Sequence, residues 1–159
     1  MVLPLAVSLS LESAEIIASE ALIAARQAEL LALTVVVLDA GGNLITAKRE
    51  DGCGVLRFDI AFGKAWGALG MGIPSRTIRD RLGDRPVFQG ALATASDGRL
   101  IPVPGGVLIR DGEGFVIGAV GVSGDTSAKD EYAAIVGVQA SGYKSEPPEP
   151  EDNWQGSNL

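Results

Sequence analysis

The order of apolar and polar residues along the chain predicts alternating helices and hairpins. From Ser10 to Leu31, apolar residues recur every three or four positions, which is the period of an amphipathic helix. The β-branched run 33–38 and the alternating run 44–49, joined by turn-forming residues 39–43, predict a first hairpin. Because the run 33–38 is almost wholly apolar, we expect this strand to be covered on both faces.

The second half of the chain repeats this plan with an irregular stretch in the middle. We predict helices over 55–69 and 74–82, an irregular segment from there to Gly98, a hairpin of strands 107–109 and 115–122, and a last helix ending near Gly142. Asp130 stands three residues after Ser127, the spacing of a capping box at the start of that helix. With no βαβ crossover, this order favours an antiparallel sheet with helices stacked on it.

The predicted helix 55–69 has an unusual glycine face. Gly63, Gly67 and Gly70 occupy positions where a solvated helix carries charged side chains. Each mid-helix glycine costs about 1 kcal/mol relative to alanine, so we expect close packing on this side. Either another layer of the same chain or a helix of a second copy would explain it, and the second copy is slightly favoured.

The end of the chain differs in composition from the rest. Residues 144–159 are rich in proline and carboxylates, and nothing basic follows Lys144. We therefore predict a single domain over 1–143 and an acidic, proline-rich arm over 144–159 that is extended outside the core. Trp154 would then be an exposed aromatic that docks onto a neighbouring subunit.

Composition excludes several familiar kinds of chemistry. The 159 residues include no histidine and a single cysteine, Cys53, which rules out His-based zinc sites, histidine-activated nucleophiles and disulfides within the chain. A net charge of -7 argues against nucleic-acid binding. No stretch has the length of a membrane span and the first residues lack a basic leader pattern, so we expect a soluble, cytoplasmic protein without a membrane partner.

Four blocks of the sequence belong together: VVVLDAGGNLITAKREDG (35–52), DIAFGKAWGALG (59–70), PGGVLIRDGEGFVIGAVGVSG (104–124) and KDEYAAIVGVQA (129–140). In this order they resemble the GlcG/HbpS family, which includes the C-terminal domain of PduO-type proteins. The resemblance implies a profilin-like α+β domain of three layers, with a five-stranded antiparallel sheet flanked by helices. It also implies a symmetric homo-oligomer, and some members of the family bind heme or a corrinoid.

The resemblance suggests heme as a cofactor, but this chain has no histidine to ligate the iron, so the cofactor is left open. An iron ligand would have to be Cys53, Met71, Lys64 or a tyrosine, unless heme binds with no protein ligand. No metal site is predicted.

Five residues within the matching blocks are candidates for binding an anion. Pro104 keeps the chain out of a continuous ladder, and Gly105 and Gly106 leave their backbone amides open to an oxyanion. Lys64 would add an ammonium group and Arg49 a guanidinium suited to a carboxylate. The structural alternatives are a lysine that extends along apolar surface and an arginine in a surface ion pair.

Two functional hypotheses follow from these residues. The first is a small-molecule-binding homo-oligomer for an anionic or aromatic catabolite or a tetrapyrrole. The second is a small cofactor-independent enzyme of a catabolic pathway, a lyase, isomerase or hydrolase, with Lys64 or Asp130 as acid or base. For Asp130 the structural alternative is the capping box, and for Cys53 it is an inert thiol, since no histidine can activate it. Whether the protein is an enzyme is left open.

Overall fold

Five helices and five strands make up the fold in a computed structural model that describes residues 1–159. The helices are α1 (Leu11–Gln27), α2 (Leu56–Met71), α3 (Ser75–Leu82), α4 (Pro86–Ala95) and α5 (Ser127–Ala140). The strands are β1 (Thr34–Asp39), β2 (Leu44–Arg49), β3 (Gly106–Arg110), β4 (Val116–Ser123) and β5 (Lys144–Glu146). A single 3-10 turn, Trp154–Gly156, follows near the end of the chain. None of the helices combines the length and apolar character needed to cross a membrane.

The sheet has the strand order β2-β1-β4-β3-β5, and every neighbouring pair is antiparallel. Alternate residues of a strand face opposite sides, so each strand contributes to two apolar layers. Val35 and Val37 of β1 pack in the layer formed with α1 and α5, whereas Val36 and Leu38 pack in the layer formed with α2. The predicted three-layer, profilin-like α+β fold is confirmed, as is the burial of β1 on both faces.

Glycines in the sheet allow α2 to lie almost directly on it. A Cβ atom at Gly121 of β4 would clash with the carbonyl oxygen of Ala61, and one at Gly106 of β3 would clash with that of Lys64. Since the clashing atoms belong to helix backbone, they cannot move aside as a flexible side chain would. These two glycines therefore set the distance between α2 and the sheet.

The glycine face of α2 is covered by the same chain. A Cβ at Gly63 would meet the backbone of Arg99 and the side chain of Ile101, and one at Gly67 would lie 2.9 Å from Leu100. The expectation of close packing was right, but the slightly favoured explanation, a helix of a second copy, is wrong for these two positions. Beside Gly70 there is open space within 4 Å.

Two further expectations about elements were wrong. The segment predicted to be irregular contains α4, whose sequence PVFQGALATA offers no amphipathic stripe, and the helix has no buried residue. The C-terminal segment is not an arm outside the core. Residues 144–146 form β5 beside β3, and Trp154 stacks on Tyr132 of its own chain rather than on a neighbour. Placing the domain boundary at residue 143 stays a prediction.

Candidate functional site

Lys64 is a fully enclosed lysine on the sheet-facing side of α2. Only 1% of the residue is exposed, and its Nζ donates to the carbonyl oxygen of Val122 and to Oδ2 of Asp130, both at 2.9 Å. Gly105 makes room for it, because a Cβ atom there would lie 2.9 Å from Nζ. Gly105 also has φ +119, a backbone conformation that favours glycine. The ammonium group is thus held where β4 ends and β3 begins.

Asp130 reaches the same point from the opposite layer of the fold. It lies on α5 and is 1% exposed; its Oδ2 pairs with Lys64 and its Oδ1 accepts a hydrogen bond from the backbone N–H of Asp125 at 3.0 Å. The predicted capping box is wrong. Thr126 is the N-cap of α5, with its side chain accepting from the backbone of Lys129, and Asp130 is used to connect α5 to α2.

Burial sets the protonation behaviour of this pair. Burial lowers the pKa of Lys64 and raises the pKa of Asp130, while the attraction between the two groups opposes both shifts. Both shifts favour the neutral forms, so the two pKa values are drawn toward each other. Such a pair can exchange a proton more readily than two solvated side chains can.

The glycine loop next to Lys64 uses its polar groups internally. Pro104, Gly105 and Gly106 are all buried. The N–H of Gly106 donates to Oγ of Ser75 at 2.7 Å, and the carbonyl of Gly105 accepts from Val122 at 3.0 Å. The structure therefore brings Lys64, Asp130 and this loop together, but at least one of the two amides expected to face an anion has a partner in the chain. Their role in binding stays a prediction.

Arg49 lies in a different part of the surface. At the end of β2 it is exposed, and its Nη1 donates to the carbonyl oxygen of Cys53 at 2.7 Å. It borders a depression of about 570 Å³ whose lining does not include Lys64. The depression is lined by Thr34, Ala47, Arg49, Val55, Phe58 and Asp59.

Cys53 connects the surroundings of Arg49 to the buried pair. The thiol is buried, with Sγ 3.2 Å from Oγ1 of Thr34 and 4.0 Å from the carbonyl oxygen of Ser123. Arg57 donates to Oγ of Ser123 at 3.3 Å, and its charge acts on both Lys64 and Asp130. A line of polar groups thus runs from the exposed guanidinium of Arg49 inward to Lys64.

Sequence reasoning missed the second depression at the start of α2. It shares Phe58 and Asp59 with the first, and Arg99, which stacks on Trp66 with its guanidinium 4.2 Å from the ring centroid, borders it. The signal was present in Phe58 and Phe62, which lie on one face of α2 and are only partly buried. Helical spacing places these aromatic residues on one face but does not indicate how much of each ring is left exposed.

Comparison with known proteins places this geometry in a family. A family model described as "Haem degrading protein HbpS-like" matches residues 9–139. The chain belongs to the HbpS-like family. The predicted resemblance is confirmed over most of the domain. Among curated proteins, none matches the chain.

Solved structures agree with this membership in the HbpS-like family. Protein ORFY of Klebsiella pneumoniae is 29% identical, with a TM-score of 0.78 over 89% of this chain and 97% of that one. A double mutant of Streptomyces reticuli HbpS is 27% identical, with a TM-score of 0.72 over 87% of this chain and 90% of that one. The PduOC–heme complex is 24% identical, with a TM-score of 0.74 over 84% and 95%, and at that identity the likeness shows the fold alone.

Proposed function

We propose that this HbpS-like protein binds a small anionic molecule with a flat apolar body, in the depression beside Arg49. One observation carries the proposal: an exposed guanidinium borders an apolar surface that includes Val55 and Phe58. Val55 is 90% exposed, so a ligand there would cover apolar surface that the chain itself leaves in water. Arginine recognises carboxylates through paired hydrogen bonds, so the anionic group belongs at Arg49.

A tetrapyrrole or an aromatic acid fits this description. The matching family model is described as "Haem degrading protein HbpS-like", which supports a tetrapyrrole with its carboxylates. The two depressions meet at Phe58 and carry one arginine each, Arg49 and Arg99, so a broad ligand could place an anionic group at either end.

None of the residues that line these depressions is a strong ligand for heme iron. Neither lining contains an imidazole, a thiol, a thioether or a phenol. Cys53 and Lys64, two of the ligands considered from the sequence, are buried and engaged elsewhere. We therefore propose that a tetrapyrrole would be held by its ring surface and carboxylates rather than through its metal.

Self-association and a cytoplasmic location belong to the same proposal. The apolar helix α4 has no buried residue in the isolated chain, and Val87 is 87% exposed. A second copy that covers α4 would remove this surface from water, which supports a homo-oligomer. Native mass spectrometry tests this directly, and it would also detect any small molecule retained by the purified protein.

A second candidate function is catalysis at the buried pair. Lys64 and Asp130 have pKa values drawn toward each other, as in sites that transfer protons. Incubating a retained ligand with the protein and following it by NMR separates the two functions: conversion of the ligand supports catalysis, and an unchanged ligand supports binding alone.

The binding proposal is tested by titrating metal-free protoporphyrin IX into the protein and following its fluorescence. Arg49→Gln should weaken binding about 10- to 100-fold, as expected for a lost charged hydrogen bond of roughly 1.5 to 3 kcal/mol. Arg81→Gln is the matched control, since it removes the same charge from an exposed position on α3 that borders neither depression. Equal affinity of Arg49→Gln and wild type would overturn the placement of the site.

A further inference from the structure

Glu131 is a buried carboxylate without a hydrogen-bond partner. The residue is 0% exposed, and neither Oε1 nor Oε2 makes a hydrogen bond. Nη1 of Arg76 lies 3.3 Å from Oε2 but not in hydrogen-bonding geometry. Buried acids are normally paired and hydrogen-bonded, because an ionised carboxylate without donors is costly to enclose.

The C-terminal strap, residues 147–159, lies over this carboxylate and is anchored by a few contacts. The carbonyl of Pro148 accepts from Gln139 at 2.7 Å, and the carbonyl of Glu149 accepts from Arg76 at 3.0 Å. Glu151 pairs with Arg79. Trp154 stacks on Tyr132 with ring centroids 3.7 Å apart and an interplanar angle of 11°, and Ser157 hydrogen-bonds to Thr126. The strap borders an open depression of about 600 Å³ between itself, α3 and α5.

One anchor of the strap carries a charge that an ionised Glu131 would repel. The carboxylate of Glu151 acts on Glu131 as a like charge and raises its pKa, whereas the backbone N–H of the same residue lowers it. Arg76 contacts Glu131 through Nη1 and the carbonyl of Glu149 through Nη2, so it serves both groups at once. Ionisation of Glu131 therefore makes the carboxylate of Glu151 an unfavourable neighbour.

The remaining charged groups nearby do not remove this conflict. Arg79 also attracts Glu131, but it is already paired with Asp80 and Glu151. On α5, the neighbours Asp130 and Lys129 are paired with Lys64 and Asp125. The other acids around the depression beside the strap, Asp80 and Asp152, add negative charge rather than donors.

We propose that the C-terminal strap is a pH-sensitive cover, seated while Glu131 is protonated and released from α3 and α5 when Glu131 ionises. Release would uncover the face of Tyr132 and the guanidinium groups of Arg76 and Arg79. The strap is the wall of the Glu131 site that can move most easily, because residues 148–159 include no buried residue and only a 3-10 turn, whereas α5 is fixed by buried residues such as Ala133 and Ala134.

The direction of the pH effect follows from the seated state. Burial raises the pKa of Glu131 from 4.5 to about 7, with Arg76 opposing the rise and Glu151 adding to it. Between pH 4.5 and about pH 7, Glu131 is therefore protonated when the strap is seated and ionised when the strap is released. Seating of the strap weakens as the pH rises through this range. Between pH 5 and pH 8 the seating equilibrium should weaken on the order of 10²-fold.

Fluorine NMR of protein labelled with 5-fluorotryptophan measures the strap directly. The chain has two tryptophans, and Trp154→Phe assigns the signal of Trp154 by its disappearance. In the wild type, that signal should move from a seated to a free position between pH 5 and pH 8. In Glu131→Gln it should keep the seated position throughout, whereas Glu113→Gln, in the exposed turn between β3 and β4, should behave like wild type.

Two outcomes would overturn the proposal. One is a Trp154 signal that stays in the seated position in the wild type from pH 5 to pH 9. The other is an unchanged transition in Glu131→Gln, which would assign the titration to another acid. If Glu131→Gln does not fold, Glu131→Met removes the same charge, and the wild-type titration alone still contradicts the proposal when it shows no change.

Discussion

Lys64 and Asp130 connect the two helical layers of the fold through one ion pair, with Nζ 2.9 Å from Oδ2 and both side chains closed to solvent. The pair crosses at the end of the sheet, beside Gly105 and the carbonyl of Val122. A buried pair of this kind adds little stability compared with apolar residues, but removing one partner leaves an uncompensated charge. The first prediction follows from this asymmetry.

Lys64→Met should destabilise the protein by about 3 to 5 kcal/mol, since it leaves Asp130 buried without its partner. Urea denaturation followed by circular dichroism measures the loss. The double variant Lys64→Met, Asp130→Asn removes both charges and keeps an acceptor for the N–H of Asp125, so it should recover at least half of it. A double variant as unstable as the sum of the two single variants would show that the residues are not coupled.

Two glycines of α2 provide a matched pair of substitutions. Gly63→Ala should destabilise the protein by roughly 1 to 3 kcal/mol, because its Cβ would clash with the backbone of Arg99. Gly70→Ala, on the same helix with open space within 4 Å, should stabilise it by up to about 1 kcal/mol through helix propensity. Thermal unfolding of both variants checks the difference. Equal effects would mean that segment 99–101 does not press on the helix.

The sequence predicted local features well and long-range partners poorly. The six-residue strand β2 was predicted with its observed bounds, because an alternating apolar pattern fixes both the element and its register. Gly63 and Gly67 were correctly predicted to be closely packed, but nothing in the sequence indicates that residues 99–101 cover them. A glycine in a helix indicates that another segment packs closely against it, but it does not identify that segment.

The same limit applies to the acids of α5. Asp130 and Glu131 stand side by side near the start of a helix, which is the ordinary place for a cap and a dipole partner. Their burial arises because Asp130 meets Lys64 from α2 and Glu131 is covered by the C-terminal strap, two elements far away in sequence. Since the C-terminal segment was predicted to lie outside the core, nothing in the sequence indicated that Glu131 is buried.

Asp125 should support stability in a pH-dependent way. Burial acts to raise its pKa, but hydrogen bonds from the backbone of Leu31 and Thr126 outweigh this and lower the pKa below its ordinary value of 3.8. Because the pKa of Asp125 is lower in the folded state than in the unfolded state, the ionised carboxylate stabilises the fold at pH values above the unfolded-state pKa. This stabilisation is lost as the pH falls through the folded-state pKa.

Asp125→Asn should therefore cost about 1 to 2 kcal/mol at pH 7. Denaturant titrations at several pH values should show this difference shrinking as pH falls below 3.8, where wild-type Asp125 also becomes neutral. Asp51→Asn, in an exposed turn, is the control and should show no comparable trend. A difference that stays constant down to pH 2 would contradict a charge-dependent role for Asp125.

We expect this protein to hold a flat anionic ligand through its apolar body and its carboxylates, with no protein ligand to a metal. The dissociation constants of hemin and of metal-free protoporphyrin IX, measured on the same protein, separate this mode of binding from binding through the iron. We expect the two dissociation constants to lie within about threefold of each other and both to rise in Arg49→Gln, since an iron ligand would strengthen the binding of hemin alone by several kcal/mol. The hemin spectrum should lack histidine-type low-spin bands, because the chain has no histidine. Hemin binding a hundredfold tighter than protoporphyrin IX and unaffected by Arg49→Gln would contradict this mode of binding.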